Sequence, residues 1–390
     1  MRNIFLLGLV SFFSDFSSEM VYPMIPLYLT AVFGATPALI GVIEGIAESV
    51  ASLLKVFSGY ITDKYRNKKP IAFFGYATGL LYKAALLLAS SWGGILAARV
   101  IDRIGKGVRT APRDVLVSES ADGDKMGKAF GIHKALDMAG SAAGILVAYL
   151  LMVAATGAYD YKKLFIISAI PAVLGLVAML FVREKREPHI IKEREPFWKN
   201  LRGLDRNLKL YLLVTLLFTL GNSSNTFLLL RAKDAGFNDT NVVLLYLVYN
   251  LTAALLAIPF GRLSDRIGRK AVLVGGYLVF SFVYLGFAFV QSAAGMVAIF
   301  LIYGFYTAMV AGAERALITE VAPPPLRGTM LGLQATVAGI ALLPASVIAG
   351  FLWNHFGAAA PFLFGATLSA AAAVLLIVLL AQKTGGEKAN

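Results

Sequence analysis

Cysteine is absent from the sequence, which excludes disulfides and thiolate metal sites. Charge is scarce: Asp, Glu, Lys and Arg make up 15% of the 390 residues, against about 25% in an average soluble domain. Histidine occurs three times, as His133, His189 and His355, widely spaced and without a His-x-x-x-His pair. There is no nucleophile elbow and no metal-ligand cluster. The segment 102–114 contains Gly-Lys-Gly but lacks the Gly-Lys-Ser/Thr ending of a phosphate loop, and it follows an apolar run, not a strand. An enzyme and an ATP-driven pump are therefore not expected, nor is any cofactor or bound metal.

What the chain has is apolar residues, 58% of the total, against roughly 45–50% in soluble domains. Runs of about 20 such residues recur along its length, each long enough to cross a bilayer. They are too long and too uniform for alternating barrel strands, so the spans are helices. Twelve are expected, at 4–33, 37–60, 70–90, 93–116, 128–155, 163–182, 208–230, 240–260, 271–291, 294–318, 328–353 and 359–381. Asp15 and Glu19 interrupt the first run, which reads as a retained span and not a cleaved leader. The net charge of +13 does not indicate nucleic acid, because the cations sit in short connections. With both termini inside, 26 of the 36 cations fall on the cytoplasmic side and four (Lys162, Lys163, Arg231, Lys233) outside, a distribution that orients the chain in a cytoplasmic membrane. Residues 183–207 form the only long polar segment and link a bundle at 1–182 to one at 208–390. Within the link, Phe197, Trp198, Leu201 and Leu204 share one helical face, as in a helix lying on the membrane surface.

The two bundles are copies. Gly59-Tyr-Ile-Thr-Asp63-Lys-Tyr-Arg66 returns 202 residues later as Gly261-Arg-Leu-Ser-Asp265-Arg266-Ile-Gly268. At an offset of 201, Arg113-Asp-Val-Leu-Val-Ser-Glu119 aligns with Glu314-Arg315-Ala-Leu-Ile-Thr-Glu320, and Gly127-Lys-Ala-Phe-Gly131 with Gly328-Thr-Met-Leu-Gly332. Near 206, Ser17-Ser18-Glu19 aligns with Ser223-Ser224-Asn225.

Charges inside spans are costly and mark function or pairing. Span 1 carries Asp15 and Glu19, one turn apart, about 6 Å along the axis. Glu44, Glu48 and Lys55 share a face of span 2. Lys83 lies in span 3, Arg99, Asp102 and Arg103 in span 4, and Lys134 and Asp137 in span 5. A static ion-pair network accounts for many of these. The two acids of span 1 are harder to explain so, because neighbouring carboxylates cannot both stay ionised cheaply in a poorly hydrated site. Asp15, Glu19, Glu44, Glu48 and Asp102 are the candidate proton carriers, Glu19 foremost. Span 7, the copy of span 1, is polar but uncharged through Asn222, Ser223, Ser224 and Asn225. The serines suit helix packing, and the two asparagines suit binding a solute. Tyr22 and Arg99 complete the candidate substrate residues.

The loop at 261–270, the six-plus-six repeat and the span count resemble the major facilitator superfamily over nearly the whole chain; in the first loop Arg66-Asn67 depart from the family's Gly-Arg. The spacing Gly131, Gly140, Gly144 resembles the antiporter branch, although Ile145 and Ala148 depart from its pattern. Ser17 to Pro26 and Gly312-Ala-Glu-Arg315 look like a bacterial and archaeal group of mostly unassigned substrate. The resemblance implies an all-α membrane protein with two six-helix halves around a central site, working as a monomer by alternating access. It also implies an inner gate at Gly59, Asp63, Arg113, Gly261, Asp265, Arg266, Glu314 and Arg315, with Asp63 facing the helix start near Gly328 and Asp265 that near Gly127. The expected activity is proton-coupled export of a small organic solute. The rivals are export of a divalent metal or chelate, and a receptor or scaffold that moves nothing.

Overall fold

The computed structural model describes residues 2–64, 68–121, 126–155, 159–184, 206–321 and 327–386. Fourteen α-helices account for nearly all of them, and no strand occurs among the described residues. They are α1 (Arg2–Val21), α2 (Met24–Phe33), α3 (Pro37–Lys64), α4 (Lys68–Leu88), α5 (Trp92–Glu119), α6 (Met126–Val153), α7 (Tyr161–Leu180), α8 (Arg206–Gly221), α9 (Thr226–Asp234), α10 (Asp239–Ile267), α11 (Arg269–Phe289), α12 (Ala293–Val321), α13 (Arg327–Phe356) and α14 (Ala360–Gly386). The predicted surface helix at 197–204 lies outside the described residues.

The helices form twelve rods, because α1 with α2 and α8 with α9 each make one interrupted rod. Eleven rods are long and apolar enough to cross a membrane. The rod absent from that set is α5, whose length suffices but whose charges dilute its hydropathy. The chain is a multi-pass helical membrane protein.

Two compact units divide it. One comprises Met1–Ala35, Ile46–Glu193 and Asn238–Leu247; the other comprises Thr36–Gly45, Arg194–Phe237 and Val248–Asn390. The opening turns of α3 thus belong with the second unit, and those of α10 with the first. Packing inside each unit follows one scheme. In the first, α1 lies against α6 and α7, and α4 against α5 and α7; in the second, α8 lies against α13 and α14, and α11 against α12 and α14. The sequence repeat is therefore also a repeat of contacts.

Lipid offers no hydrophobic drive for helices to associate, so close backbone approach must supply the attraction. Glycine permits it. A Cβ at Gly140 would collide with the Phe12 carbonyl, and one at Gly144 with the Phe16 carbonyl, so α6 lies directly on α1. Gly221 and Gly365 do the same between α8 and α14. In the second unit Gly41 and Gly45 of α3 bring its opening turns onto Ser346 and Leu343 of α13. At the second loop copy, Gly268 takes φ 93° and turns the chain from α10 into α11. At the corresponding end of the first unit, the Glu184 carboxylate accepts from the first two N–H groups of α4, at Lys68 (2.7 Å) and Lys69 (3.3 Å), donors that a helix start leaves open.

Gly131 faces nothing within 4 Å, so it and Gly144 separate cleanly in a test. Gly144→Val should lower the melting temperature in detergent, by the equivalent of roughly 1–3 kcal/mol of overpacking. Gly131→Ala should be neutral or gain up to about 1 kcal/mol from helix propensity. Equal effects at the two positions in a thermal-shift assay would contradict this packing.

Candidate functional site

The charged residues of the first unit are ordered by α5. Arg99, Asp102, Arg103, Lys106, Arg109 and Arg113 recur at the helical period and form one stripe. Small residues let neighbours grip this helix closely: Gly105 lies on Thr78 of α4, Gly75 of α4 on Arg109, and Gly107 on Ala51 and Leu54 of α3. Arg99, Asp102, Arg103 and Arg109 are at most 5% exposed. Buried charge at that depth must be paired, and the partners come from α5 itself and from other helices. Arg103 reaches Glu48 of α3 at 2.7 Å and Asp102 at 3.6 Å, and Arg99 stands 4.0 Å from the same Asp102 oxygen. Arg109 stands 3.9 Å from Asp15 of α1 and has its guanidinium 4.7 Å over the Tyr76 ring of α4. Asp15 also faces Asp137 of α6, which accepts from Ser11 at 2.9 Å and Lys134 at 2.7 Å.

Glu19 sits where this network meets a break in the helix. Pro23 has no N–H to close onto the Glu19 carbonyl, and α1 stops at Val21 before α2 resumes at Met24. The Glu19 carboxylate accepts from the Tyr246 hydroxyl of α10 at 3.2 Å. Tyr246 stacks on Tyr22 with centroids 5.7 Å apart, and Tyr22 in turn faces Arg99 at 5.3 Å and Arg103 at 5.9 Å. An acid, two tyrosines and two arginines therefore converge at an interrupted helix.

The second unit has its own interruption, between Gly221 of α8 and Thr226 of α9. Its ends are tied by tyrosines. Asn225 accepts from Tyr303 at 2.7 Å and donates to Tyr249 at 3.3 Å, and Asn222 donates to Tyr306 at 3.4 Å. Ser224 accepts the Thr226 N–H and donates to Glu44 at 3.4 Å. Glu44, 1% exposed, belongs to this unit and not with the other four candidate acids. Further along, Glu314 accepts from Tyr277 at 3.2 Å.

The structure separates the residues expected from sequence. Asp15, Glu19, Tyr22, Glu48, Arg99 and Asp102 come together in the first unit; Glu44, Asn222 and Asn225 lie in the second. Of the gate residues, Arg113 pairs with its neighbour Asp114 at 2.8 Å, and Gly261, Asp265 and Arg266 are exposed on the last turns of α10, Asp265 standing 3.8 Å from Arg269. Gly59 and Asp63 lie in α3 and Arg315 in α12, but their side chains, and those of Gly127 and Gly328, are outside the described set. Spans 1 and 7, expected as continuous helices, are each broken. Lys106 and Arg109, read as loop cations that orient the chain, are α5 residues in the network. Arg231, read as an outer-loop cation, is 4% exposed and donates to the Phe287, Ala288 and Val290 carbonyls at the end of α11. The spacing of the α5 stripe was visible in the sequence; Tyr246, one of two tyrosines in an apolar run, gave no signal. Among the described residues no three His, Asp or Glu side chains are grouped to hold a metal ion.

The Major Facilitator Superfamily model matches residues 7–247 and 210–390. An uncharacterized MFS-type transporter of Methanocaldococcus jannaschii is 38% identical over 97% of this chain and 95% of its own length. A multi-drug resistance efflux pump PmrA homolog of Lactococcus lactis is 24% identical over 83% of this chain and 81% of its own. Among solved structures, a mutant of the nucleoside transporter NupG superposes with a TM-score of 0.81 at 13% identity, covering 97% of this chain and 99% of that one.

Removing one member of a buried ion pair strands the other, at a cost on the order of 3 kcal/mol. Arg103→Met leaves Glu48 and Asp102 short of a partner, so it should reduce the folded yield and melting temperature markedly. Adding Glu48→Gln should recover much of that loss. A double variant as unstable as the single one, measured by thermal shift, would mean that the pairing is not what holds α3 to α5.

Proposed function

Because the chain belongs to the Major Facilitator Superfamily and is a membrane transporter, not an enzyme, we propose that it is a proton-coupled exporter of a small organic solute working by alternating access. The observation that carries this reading is that the first and seventh rods, copies in the repeat, are both interrupted, with Glu19 in the last turn before the first interruption and Asn225 at the end of the second. Interrupted spans are where transporters build their binding sites. Here one interruption carries an acid, Glu19, and the other an amide, Asn225. A carboxylate held by a tyrosine hydroxyl, and not locked by a close cation, can exchange a proton as its surroundings change. An amide held by two tyrosines cannot titrate but can trade those hydrogen bonds for a solute's.

On this reading Glu19 carries the proton, Asp15, Glu48 and Asp102 set its field, and Asn222, Asn225, Tyr22 and Arg99 meet the solute. The halves at 1–182 and 208–390, joined by 183–207, rock about the site as a monomer in the cytoplasmic membrane with both termini inside. Asp63 and Asp265, with Arg113, Arg266, Glu314 and Arg315, close the inner face. Export is favoured over import by the efflux pump among the relatives.

A thermal-shift screen supplies solutes, since a ligand of the folded state raises its melting temperature. In proteoliposomes with a trapped pH indicator, such a solute should drive proton movement against its own flux. Glu19→Gln should abolish gradient-driven transport yet keep solute binding and counterflow exchange; gradient-driven transport at the normal rate would exclude Glu19 as the carrier. Asn225→Ala should raise the apparent transport constant about three- to tenfold, the value of one hydrogen bond, without altering pH dependence. Loss of pH dependence in that variant would overturn the division of roles.

A further inference from the structure

Among the described residues, the charge network does not reach every buried cation. Lys83 of α4 is 2% exposed, and its ammonium has no hydrogen-bond partner among the described residues. Its one aromatic contact is the Tyr82 ring, 4.9 Å from Nζ. Asp102 acts on it only from a distance, and the Asp102 carboxylate is engaged by Arg99 and Arg103. A second orphan stands nearby: Tyr76, 5% exposed, also has a hydroxyl without a partner. Both groups line the same cavity among α1, α4 and α7, together with Ser14, Ser17 and Ser18.

We propose that this cavity binds a single chloride-sized anion, held by the Lys83 ammonium and the Tyr76 hydroxyl. Its polar lining is one ammonium, one phenol and three serines, with no carboxylate among them. Its volume, ≈ 10 Å³ open to the centre of a water-sized sphere, is about that of one water-sized occupant, so a halide, slightly larger than water, has to displace the lining side chains a little. A phosphate, sulfate or organic anion is too large. A water molecule satisfies the hydrogen bonds but leaves the ammonium uncompensated in a low-dielectric interior, which is the costly state. A monovalent anion answers both orphans at once. The serines also fit: Ser17 donates to the Ser168 carbonyl at 2.6 Å, which fixes α1 against α7 and closes that side of the cavity. Glu19 is not part of the lining.

The test uses purified wild-type protein in gluconate buffer, with sodium chloride or bromide exchanged in at constant ionic strength. The melting temperature should rise saturably with either halide. Lys83→Met should lose this response while melting in gluconate at or above the wild-type temperature, because an uncompensated charge is gone. Tyr76→Phe keeps the ring beneath Arg109 and removes one donor, so the halide midpoint should shift about three- to tenfold. Crystals grown in bromide should show an anomalous peak within hydrogen-bond distance of Lys83 Nζ. A wild-type melting temperature indifferent to halide overturns the proposal, as does a halide response that survives in Lys83→Met. If Lys83→Met does not fold, an unshifted midpoint in Tyr76→Phe or the absence of a bromide peak is decisive against it.

Discussion

A transmembrane helix that carries five cations on one stripe cannot be lodged in a bilayer alone. This is the constraint on which the first unit depends. Each buried charge of α5 has to find an opposite charge or a π face before the helix is affordable, and those partners sit on α1, α3 and α4 and on α5 itself. The acid positions on two other helices, Glu48 and Asp15, therefore answer Arg103 and Arg109, while Arg113 pairs with Asp114 of α5. Glycines at 75, 105 and 107 bring the backbones close enough for the side chains to reach. Hydropathy alone rejects α5 as a span, and only its neighbours make it one.

The second unit solves the same architecture with different chemistry. Its interior is aromatic: Phe218 stacks on Tyr277 and Phe280 on Tyr284, each at 3.9 Å between centroids, and Tyr249, Tyr303 and Tyr306 close around the two asparagines. Rings in offset or edge contact pack densely without charge, and their hydroxyls supply polarity at chosen points. A duplicated scaffold has thus kept its helix contacts while its two copies diverged into a charged interior and a phenolic one.

The fold was legible in the sequence because bilayer thickness writes itself into run length. The repeat was legible because its loops and glycines survived duplication. Of the site, the acids stood out, since a carboxylate in an apolar run has few neutral explanations. What could not be read was depth. Lys106 and Arg109 follow an apolar run as loop cations do, and only the continuation of α5 to Glu119 turns them inward. Arg231 failed in the same way, because nothing local distinguishes a solvated arginine from one that caps the end of a distant helix. The breaks in the first and seventh rods were hidden for a different reason: a single proline or a run of small polar residues is compatible with a continuous span when neighbouring helices satisfy the freed backbone.

The two breaks bear on how a proton and a solute can be handled in one molecule. Glu19 is bonded by a tyrosine that also stacks on Tyr22, and Tyr22 faces two arginines. A shift of Tyr22 therefore changes both the hydrogen bond to Glu19 and the cations' hold on their carboxylates. In the second unit a shift of Tyr303 or Tyr249 changes the hydrogen bonds of the Asn225 amide. A solute that competes for the tyrosines of one unit alters polarity alone; one that displaces Tyr22 alters the field around an acid. On the proposed proton-coupled reading, the coupling runs through the aromatic link between Tyr22 and Tyr246, a link that the charge pattern of the sequence does not contain.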